Sequence, residues 1–422
     1  MTAIRSRPPR VNKYVGDNGV TILQQNNPTS RAFCIGVWVN TGSRDEVTGE
    51  EGLCHFVEHM IFKGTANRSA FQISKEVEKV GGSLEAFTTR EQICFYAHVL
   101  EDHKSLAADV LQDMILNPLF PADQLTLERQ VVLEEISDVM DAPDDWIHDL
   151  FAANVFPDHP LGKPILGSPE TVSGFERAKL SSFSRRHFRP DNIVISVYGN
   201  IDKRSLMRLC DWKFPDARGR VRRNGRRIGK YRPARRLYKK SLHHQHICIG
   251  GRCCSYVDEQ RYPLMVLTTL LGGTMSSRLF QRIREELGFT YSIYTYSDSV
   301  RDTGLMGTYV AVRPSNARRV VGEVFKEFAK IRGGDLGAQE LEDTKQHLKG
   351  KILLGLEGST SKMMRMARSD FYFGRQMSER ELIQKINEVT LDDIVELAQD
   401  VLDEDRSTVV SLGPSSLQNA YH

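Results

Sequence analysis

The fold can first be recognised in the stretch SLEAFTTREQICFYAHVL, residues 83–100, and further strands and helices are predicted before and after it. It is rich in β-branched and aromatic residues that alternate over short runs, which predicts two paired strands. A buried strand is also predicted at 192–200, where NIVISVYGN ends in a Gly-Asn turn. Helices are predicted before and between these strands, at about 51–63, 71–80, 101–116 and 122–140.

The start of the chain and its second half complete this outline. Residues 19–40 alternate, which predicts a hairpin followed by a loop. A similar order of elements returns about 210 residues later. This second set comprises strands at 247–251, 289–299, 304–312 and 407–414, with helices over 260–286, 314–331 and 337–357. We therefore predict an α+β fold of two similar domains, each a mostly antiparallel sheet packed against helices.

A basic segment separates the two halves. Positions 218–240 hold 12 lysines and arginines and almost no large apolar side chains, which is typical of a solvated linker. A contact with nucleic acid or anionic lipid would need interleaved aromatic residues, and only Tyr231 and Tyr238 are present. We therefore expect no nucleic-acid or membrane partner. The predicted division is an N-terminal domain at 1–216, a linker at 217–238 and a C-terminal domain at 239–422.

The composition is that of an ordinary globular protein. The chain has 422 residues, of which 40% are hydrophobic and 26% charged, and its net charge of +3 indicates no particular partner. The first twenty residues lack the apolar core of a signal peptide, and no stretch of 18 uninterrupted apolar residues predicts a membrane helix. The seven cysteines are scattered without a CxxC pair, which favours free thiols and a cytoplasmic location.

The chemistry is concentrated in GLCHFVEHMIFKGT, residues 52–65. His55 and His59 are four residues apart on a predicted helix, so both imidazoles leave the same face and can reach one tetrahedral zinc ion. Glu58 lies close enough to accept a proton from a water at the metal without binding the metal itself. This H-x-x-E-H order is the inverzincin pattern. The alternative is a pair of surface histidines beside a carboxylate.

Two histidines leave such a site incomplete, because a catalytic zinc ion takes three protein ligands and a water. The predicted helix LTLERQVVLEEISDVM, residues 125–140, offers candidates for the third. Glu128 and Glu135 are seven residues apart and share a partly buried face, where a carboxylate needs a cation or a hydrogen-bond partner. Spacing alone leaves Glu134 and Asp138 as alternatives.

The whole chain resembles the pitrilysin family, which includes insulin-degrading enzyme and the mitochondrial processing peptidase, and within it the branch of roughly 420-residue bacterial processing-peptidase-like proteins. The matching motifs are G-L-x-H-F-x-E-H-M-x-F-K-G-T (52–65), G-G-S-L-x-A-F-T-x-x-E (81–91), E-R-x-V-V-L-E-E-I (128–136), H-P-L-G-x-P-I-L-G (159–167) and R-P-D-N-I-V-I-S-V-x-G-N (189–200). The resemblance implies one zinc ion per chain. It also implies that His55, His59 and Glu135, which lies 76 residues after His59, are the ligands, with Glu58 as general base and Glu128 in support.

A further motif lies in the second half, SSRLFQRIREELGFTYS at 276–292. The resemblance implies that Arg284 and Tyr291 take part in catalysis, and a guanidinium with a phenol can stabilise a developing oxyanion. In the family this pair acts across a closed clamp on the zinc of another half-molecule. The resemblance therefore implies a homodimer whose sites are completed between chains, or a pairing with a paralogue.

Together these features predict a zinc metalloendopeptidase that hydrolyses peptides or unfolded, presequence-like polypeptides inside an enclosed chamber. A non-proteolytic or partner subunit of the same fold in a heterodimer is the alternative. Many family members have Asn where this chain has Glu85, so we expect a shifted preference toward basic substrate side chains. The segment HHQHIC, 243–248, predicts the start of a strand with exposed histidines rather than a second metal site.

Overall fold

The computed structural model describes residues 10–214 and 228–414 of the chain. These residues form two compact units, one made of 10–136, 164–214 and 355–376, the other of 137–163, 228–354 and 377–414. Each unit thus includes one segment from the half of the chain that forms most of the other. Residues 217–227 of the predicted linker lie outside the described residues, and its last four residues belong to a strand.

Eleven strands are found among the described residues. They are β1 (Val11–Val15), β2 (Thr21–Asn26), β3 (Ala32–Val39), β4 (Ser83–Thr88), β5 (Ile93–Leu100), β6 (Ile193–Gly199), β7 (Arg235–Lys239), β8 (Gln245–Cys253), β9 (Thr290–Ser299), β10 (Gly304–Val312) and β11 (Thr408–Gly413). The first unit contains a sheet of order β1-β2-β6-β3-β5-β4 and the second a sheet of order β7-β11-β8-β10-β9. In each sheet one pair is parallel, β2 with β6 and β7 with β11, and the remaining pairs are antiparallel.

The helices cover both faces of each sheet. They are α1 (Leu53–Ile61), α2 (Ala70–Glu78), α3 (Lys104–Leu116), α4 (Ala122–Asp141), α5 (Pro143–Val155), α6 (Pro169–Ser173), α7 (Arg177–His187), α8 (Lys203–Leu209), α9 (Arg261–Gly272), α10 (Ala317–Arg332), α11 (Ala338–Gly355), α12 (Ser359–Phe373), α13 (Glu379–Glu388) and α14 (Leu391–Val401). No helix in the described part of the chain is both long and apolar enough to span a membrane.

Packing explains why each unit takes in a distant segment. In the first unit, α1 to α4 and α7 cover one face of the sheet, and α12 covers the other through Met363 and Met366. In the second unit, α9, α10, α11 and α14 cover one face, and α5 covers the other through Phe151 and Val155. Each sheet therefore buries both faces. The prediction of an α+β fold with two similar domains is confirmed.

The hairpin predicted at 19–40 is wrong. Both strands form, but β6 lies between β2 and β3 and pairs with each of them, while β2 forms a hairpin with the preceding strand β1. All seven residues of β6 are buried. A strand buried on both faces belongs in the middle of a sheet, so it displaces the neighbour that sequence order suggests.

Two predictions for the second half also need correction. The single helix expected at 260–286 is divided, because α9 ends at Gly272 and a π-helix, Phe280–Glu286, follows after a turn. A β-carbon at Gly272 would lie 2.5 Å from the backbone nitrogen of Thr295, so the chain can approach β9 only as glycine. The strand predicted near 247 is present as β8, but His246 is buried rather than exposed and bonds to the Tyr309 hydroxyl at 2.9 Å.

Candidate active site

Helix α1 is fixed at its first turn by backbone contacts and a buried carboxylate. Gly52 has a φ of 91°, and a β-carbon there would overlap the carbonyl oxygen of Leu166, so the residue before the helix must be glycine. Glu46 accepts hydrogen bonds from the backbone N–H groups of Gly52 at 3.0 Å and Cys54 at 2.7 Å. These are donors that a helix start leaves without partners. Burial raises the pKa of Glu46 to about 8, although both hydrogen bonds act in the opposite direction.

The two histidines of α1 meet a glutamate from α4. The Nε2 atoms of His55 and His59 are 3.2 Å apart. The Oε2 atom of Glu135 lies 3.7 Å from the first and 3.6 Å from the second. Ligand atoms bound to one tetrahedral zinc ion at its usual distances are separated by roughly 3.3–3.4 Å. The structure thus brings these three predicted residues together at the spacing of a shared metal ion.

The chemistry of the three side chains also fits zinc. Although the Glu135 side chain is 42% exposed, its Oε2 atom is buried, and no described residue gives that atom a hydrogen bond. Burial first, and then the neighbouring His59, lower the pKa of His55 to about 3. His55 is therefore neutral, which is the form that binds metal. Two imidazole nitrogens and one carboxylate oxygen form the ligand set of many catalytic zinc sites.

The two acids that spacing left open lie elsewhere. Glu134 and Asp138 are exposed on α4. Within the described ranges, the one group of at least three histidine, cysteine or acidic side chains close enough to share a metal ion is His55, His59 and Glu135.

Glu128 sets the orientation of His59. Its Oε1 atom lies 2.8 Å from His59 Nδ1, which leaves Nε2 of the same ring directed at Glu135. Carboxylates commonly hold metal-binding histidines in this way. The side chain of Lys63 contacts the other oxygen of Glu128 at 2.6 Å. Burial raises the pKa of Glu128, but the hydrogen bonds from His59 and Lys63 outweigh burial and bring it below its ordinary value.

Glu58 lies beside this group and is held by the edge strand. The Thr88 hydroxyl on β4 donates a hydrogen bond to Glu58 Oε2 at 2.5 Å. Burial is the largest effect on Glu58, and with the charge of Glu135 it raises the pKa, against the opposing effects of Thr88 and His59. A partly buried carboxyl with a raised pKa suits a residue that takes up and releases a proton.

Strand β4 is one edge of its sheet, and it carries a second acid. Glu85 is exposed, and its carboxylate accepts a hydrogen bond from the hydroxyl of Tyr96, the residue directly opposite on β5. Phe87 and Tyr96 belong to the cluster under α12, whereas Leu84 and Ala86 pack into the core beside α1. Because side chains alternate along a strand, Glu85 lies on the α12 face of the sheet and Thr88 on the α1 face.

Arg284 and Tyr291 are brought together within the second unit. Arg284 lies in the π-helix, and its guanidinium carbon is 4.5 Å from the ring centre of Phe280 and 4.6 Å from that of Tyr291. The guanidinium also donates a hydrogen bond to the backbone carbonyl of Tyr291 at 3.0 Å. Tyr291 lies on the edge strand β9 and is 83% exposed. The two side chains therefore form one stacked, accessible pair.

Sequence reasoning missed three supporting residues, namely Glu46, Lys63 and Thr88. Lys63 lies in the histidine motif at 52–65, Thr88 lies in the motif at 81–91, and Glu46 ends the loop sequence GSRDE. Their neighbours are 8, 65 and 30 positions away along the chain. A lysine, a threonine and a glutamate at such separations give no spacing signal. The contacts of Lys63 and Thr88 depend on the packing of α1 against α4 and β4, and that of Glu46 depends on how the preceding loop folds against the first turn of α1.

Family models match both halves of the chain. Residues 21–169 match the model described as insulinase, peptidase family M16, and residues 174–348 match the model described as peptidase M16 inactive domain. The chain belongs to peptidase family M16, and the resemblance to pitrilysin-like proteins is confirmed. The second matched segment is the one that contains Arg284 and Tyr291.

Relatives of similar length carry protease names. The chain is 36% identical over 395 residues to an uncharacterized zinc protease of Bacillus subtilis, with 94% of this chain and 96% of that protein covered. It is 38% identical over 402 residues to an uncharacterized zinc protease of Mycobacterium leprae, with 94% and 90% covered.

Two solved structures share the fold. A protease from Helicobacter pylori superposes with a TM-score of 0.91 at 20% identity, covering 96% of this chain and all of that one. A peptidase M16 inactive domain from Pseudomonas fluorescens superposes with a TM-score of 0.88 at 16% identity, covering 96% and 99%. At these identities the likeness concerns the fold alone.

Proposed function

We propose that this protein is a zinc metalloendopeptidase that binds one zinc ion per chain. The observation that carries the proposal is the convergence of His55, His59 and Glu135 on one point, with Glu58 beside them and outside the ligand set. Relatives named as zinc proteases, matched over 96% and 90% of their length, support the same activity. Peptides or unfolded, presequence-like polypeptides in an enclosed chamber are the proposed substrates.

Zinc bound to these residues would activate a water and polarise the scissile carbonyl. Glu58 accepts a proton from the attacking water and later donates it to the leaving amine. The hydroxyl of Thr88 donates a hydrogen bond to one of the two oxygens of the Glu58 carboxylate. This bond keeps the carboxylate in one orientation during both proton transfers. Glu128 restrains the His59 ring in the same period.

An extended peptide can add to the free edge of β4 through main-chain hydrogen bonds. This placement brings the peptide alongside the strand that also holds Glu58 through Thr88. Substrate side chains on the α12 face would then pass Glu85. We propose that this carboxylate favours lysine or arginine at that position of the peptide.

Arg284 and Tyr291 are the proposed stabilisers of the oxyanion, acting on the zinc site of the second chain in a homodimer. The stacked geometry supports this role, because the guanidinium and the phenol are already paired and accessible. A guanidinium aimed at developing negative charge is a common source of rate enhancement. Pairing with a paralogue and a cytoplasmic location remain predictions of the same kind.

The alternative is a partner subunit that does not cleave peptides, and one observation favours it. The second half matches a family model described as an inactive domain. Such a subunit has no need to retain a complete set of metal ligands and a base, however, and this chain has His55, His59, Glu135 and Glu58.

The deciding experiment measures zinc content and peptide cleavage together. Purified protein should contain about one zinc ion per chain and should cleave a mixed peptide library. A chelator should abolish cleavage, and added zinc should restore it. Stoichiometric zinc without cleavage of any library peptide would favour the partner subunit or another class of metal hydrolase. Cleavage that survives complete removal of the metal would contradict the proposal.

A further inference from the structure

Lys63 links the end of α1 to the buried carboxylate of α4. It follows the last helical turn, where its backbone N–H bonds to the carbonyl oxygen of Met60 at 3.2 Å. Its ammonium lies 2.6 Å from Glu128 Oε2, while Glu128 Oε1 lies 2.8 Å from His59 Nδ1. Lysine, glutamate and histidine thus form one chain of charged hydrogen bonds that ends at a proposed metal ligand.

The contact with Lys63 stabilises Glu128 as a buried carboxylate. The residue is only 6% exposed, and a carboxylate in such a place needs a charged or hydrogen-bonding partner at each oxygen. His59 satisfies one oxygen and Lys63 the other. Across the described residues, Lys63 is the one lysine or arginine in ion-pair contact with Glu58, Glu128 or Glu135.

We propose that Lys63 is a positioning residue for the metal site. By holding one oxygen of Glu128, it directs the other at His59 Nδ1, and so keeps His59 Nε2 facing the point shared with His55 and Glu135. The inference rests on the proposed zinc function, but it concerns only contacts between residues of this chain. A bidentate or rotated Glu128 would free the His59 ring to turn away from the ligand group.

Two physical effects predict opposite results for the removal of Lys63, which makes the proposal testable. If Lys63 acts only as a nearby positive charge, its removal should strengthen zinc binding, because a cation repels zinc. If it orients Glu128 and His59, its removal should weaken zinc binding. Loss of a direct hydrogen-bond partner of a metal ligand costs about 10–100-fold in affinity. Since Lys63 acts one contact further from the metal ligand, we expect its removal to weaken zinc binding by roughly threefold to tenfold.

The experiment uses the full chain with the substitution Lys63→Met, which keeps the apolar stem and removes the ammonium. Zinc dissociation constants are measured by competition with a chromophoric chelator, and thermal unfolding checks that the protein is folded. Lys63→Arg should bind zinc like the wild type, because an arginine can also pair with Glu128. Lys75→Met on α2 removes an exposed lysine whose ammonium lies over the Phe71 ring, and serves as the matched control.

A second measurement is made on the metal-free protein. The His59 Nδ1–H proton, bonded to a carboxylate, should give a downfield signal in nitrogen-correlated NMR spectra of the wild type and Lys63→Arg. The signal should shift upfield or broaden in Lys63→Met and stay in Lys75→Met. In a Glu128→Gln background, Lys63→Met should cause little further loss of zinc affinity, because the two residues act through one contact.

Zinc binding by Lys63→Met that equals or exceeds the wild-type affinity would overturn the proposal, as would an unchanged His59 signal. If Lys63→Met does not fold, Lys63→Gln replaces it and is judged by the same two measurements. Neither measurement involves peptide cleavage. A failure of the proposed peptidase activity therefore appears in the library assay of the wild type, and a failure of the positioning role appears in the affinities and spectra of the variants.

Discussion

The same interface is built in both units, with different results. In each unit a helix follows a central strand and packs against the edge strand of the sheet, α1 against β4 in the first and α9 against β9 in the second. Helix α1 contributes Glu58, which bonds to the Thr88 side chain. Helix α9 ends with Gly272, which approaches the backbone of Thr295 directly. The first interface accommodates a carboxylate, whereas the second leaves no room for a side chain and requires glycine.

The helices themselves differ in the same sense. Helix α1 places two histidines and a glutamate within nine residues, whereas the buried positions of α9 are mainly aliphatic, including Leu264, Leu267 and Leu271. The two sheets hold α1 and α9 in equivalent positions, but only α1 has candidate catalytic and metal-binding side chains. In the second unit the candidate functional residues come from the π-helix and β9 instead. Function thus depends on side chains placed on a scaffold rather than on the scaffold.

Substitution of Glu58 should give the largest effect. Glu58→Gln keeps the shape and the Thr88 contact but cannot accept a proton. General-base catalysis contributes about 10²–10⁴-fold, so kcat on a cleaved library peptide should fall at least that far while zinc content stays near one per chain. Glu78→Gln, on the exposed face of α2, is the control. Wild-type turnover in Glu58→Gln would show that the α1 interface is structural, like that of α9.

The third ligand is tested by two neighbours on α4. Glu135→Gln should weaken zinc binding by more than the roughly 10–100-fold typical of an outer partner, since a neutral amide is a poor zinc ligand. Glu134→Gln, one residue away and exposed, should leave the affinity unchanged. Glu128→Gln should fall between them. Equal zinc dissociation constants for Glu135→Gln and Glu134→Gln would mean that another residue completes the site.

Cooperation between the two kinds of unit is tested by mixing inactive proteins. Glu58→Gln and Arg284→Ala chains are mixed and allowed to exchange subunits, with exchange followed by mass. Each heterodimer should regain about half the activity of a wild-type dimer, because one of its two sites combines an intact metal group with an intact Arg–Tyr pair. The control mixes Glu58→Gln with Glu135→Gln, where one chain lacks the base and the other lacks a metal ligand, so no rescue is expected. Proven exchange without rescue would refute completion between chains.

The two helix–strand interfaces should also respond differently to small changes. Thr88→Val removes a hydrogen bond to a charged group, which typically contributes about 1.5–3 kcal/mol to stability, and should in addition lower kcat roughly tenfold or more because Glu58 loses its restraint. Thr88→Ser should retain the rate. Gly272→Ala should lower the free energy of unfolding of its unit by about 1–3 kcal/mol through overpacking and leave zinc affinity unchanged. Loss of zinc binding in Gly272→Ala would break the distinction between the two interfaces.

Glu85 should give the smallest effect. Exposed ion pairs contribute about 0–1 kcal/mol, so Glu85→Gln should reduce the preference for lysine over glutamine at one peptide position by up to about fivefold in kcat/KM. Glu85→Lys should favour glutamate at the same position. Cleavage is compared across peptides that differ only there, with Glu78→Gln as the matched exposed control. An unchanged preference in both Glu85 variants would remove the residue from substrate selection.

Several features could be predicted because they depend on local spacing. Strands β4 and β5, helices α1 to α4 and the repeated order of elements follow from periodicities of two and 3.6 residues. The pairing of His55 with His59 follows from helix geometry alone, since residues four apart share a face. Spacing along α4, in contrast, left four acids as candidates for the third ligand. The resemblance to known proteins, rather than the spacing, selected Glu135.

The remaining features were decided by tertiary packing. The insertion of β6 between β2 and β3 depends on which strand buries both faces, and no local pattern encodes a partner about 170 residues away. The contacts of Lys63 with Glu128 and of Thr88 with Glu58 arise only when α1 packs against α4 and β4. Sequence by itself determined the residues that can do chemistry, because a helix places neighbours at set angles. Tertiary structure determined which of them meet, because that depends on how separate elements fill one core.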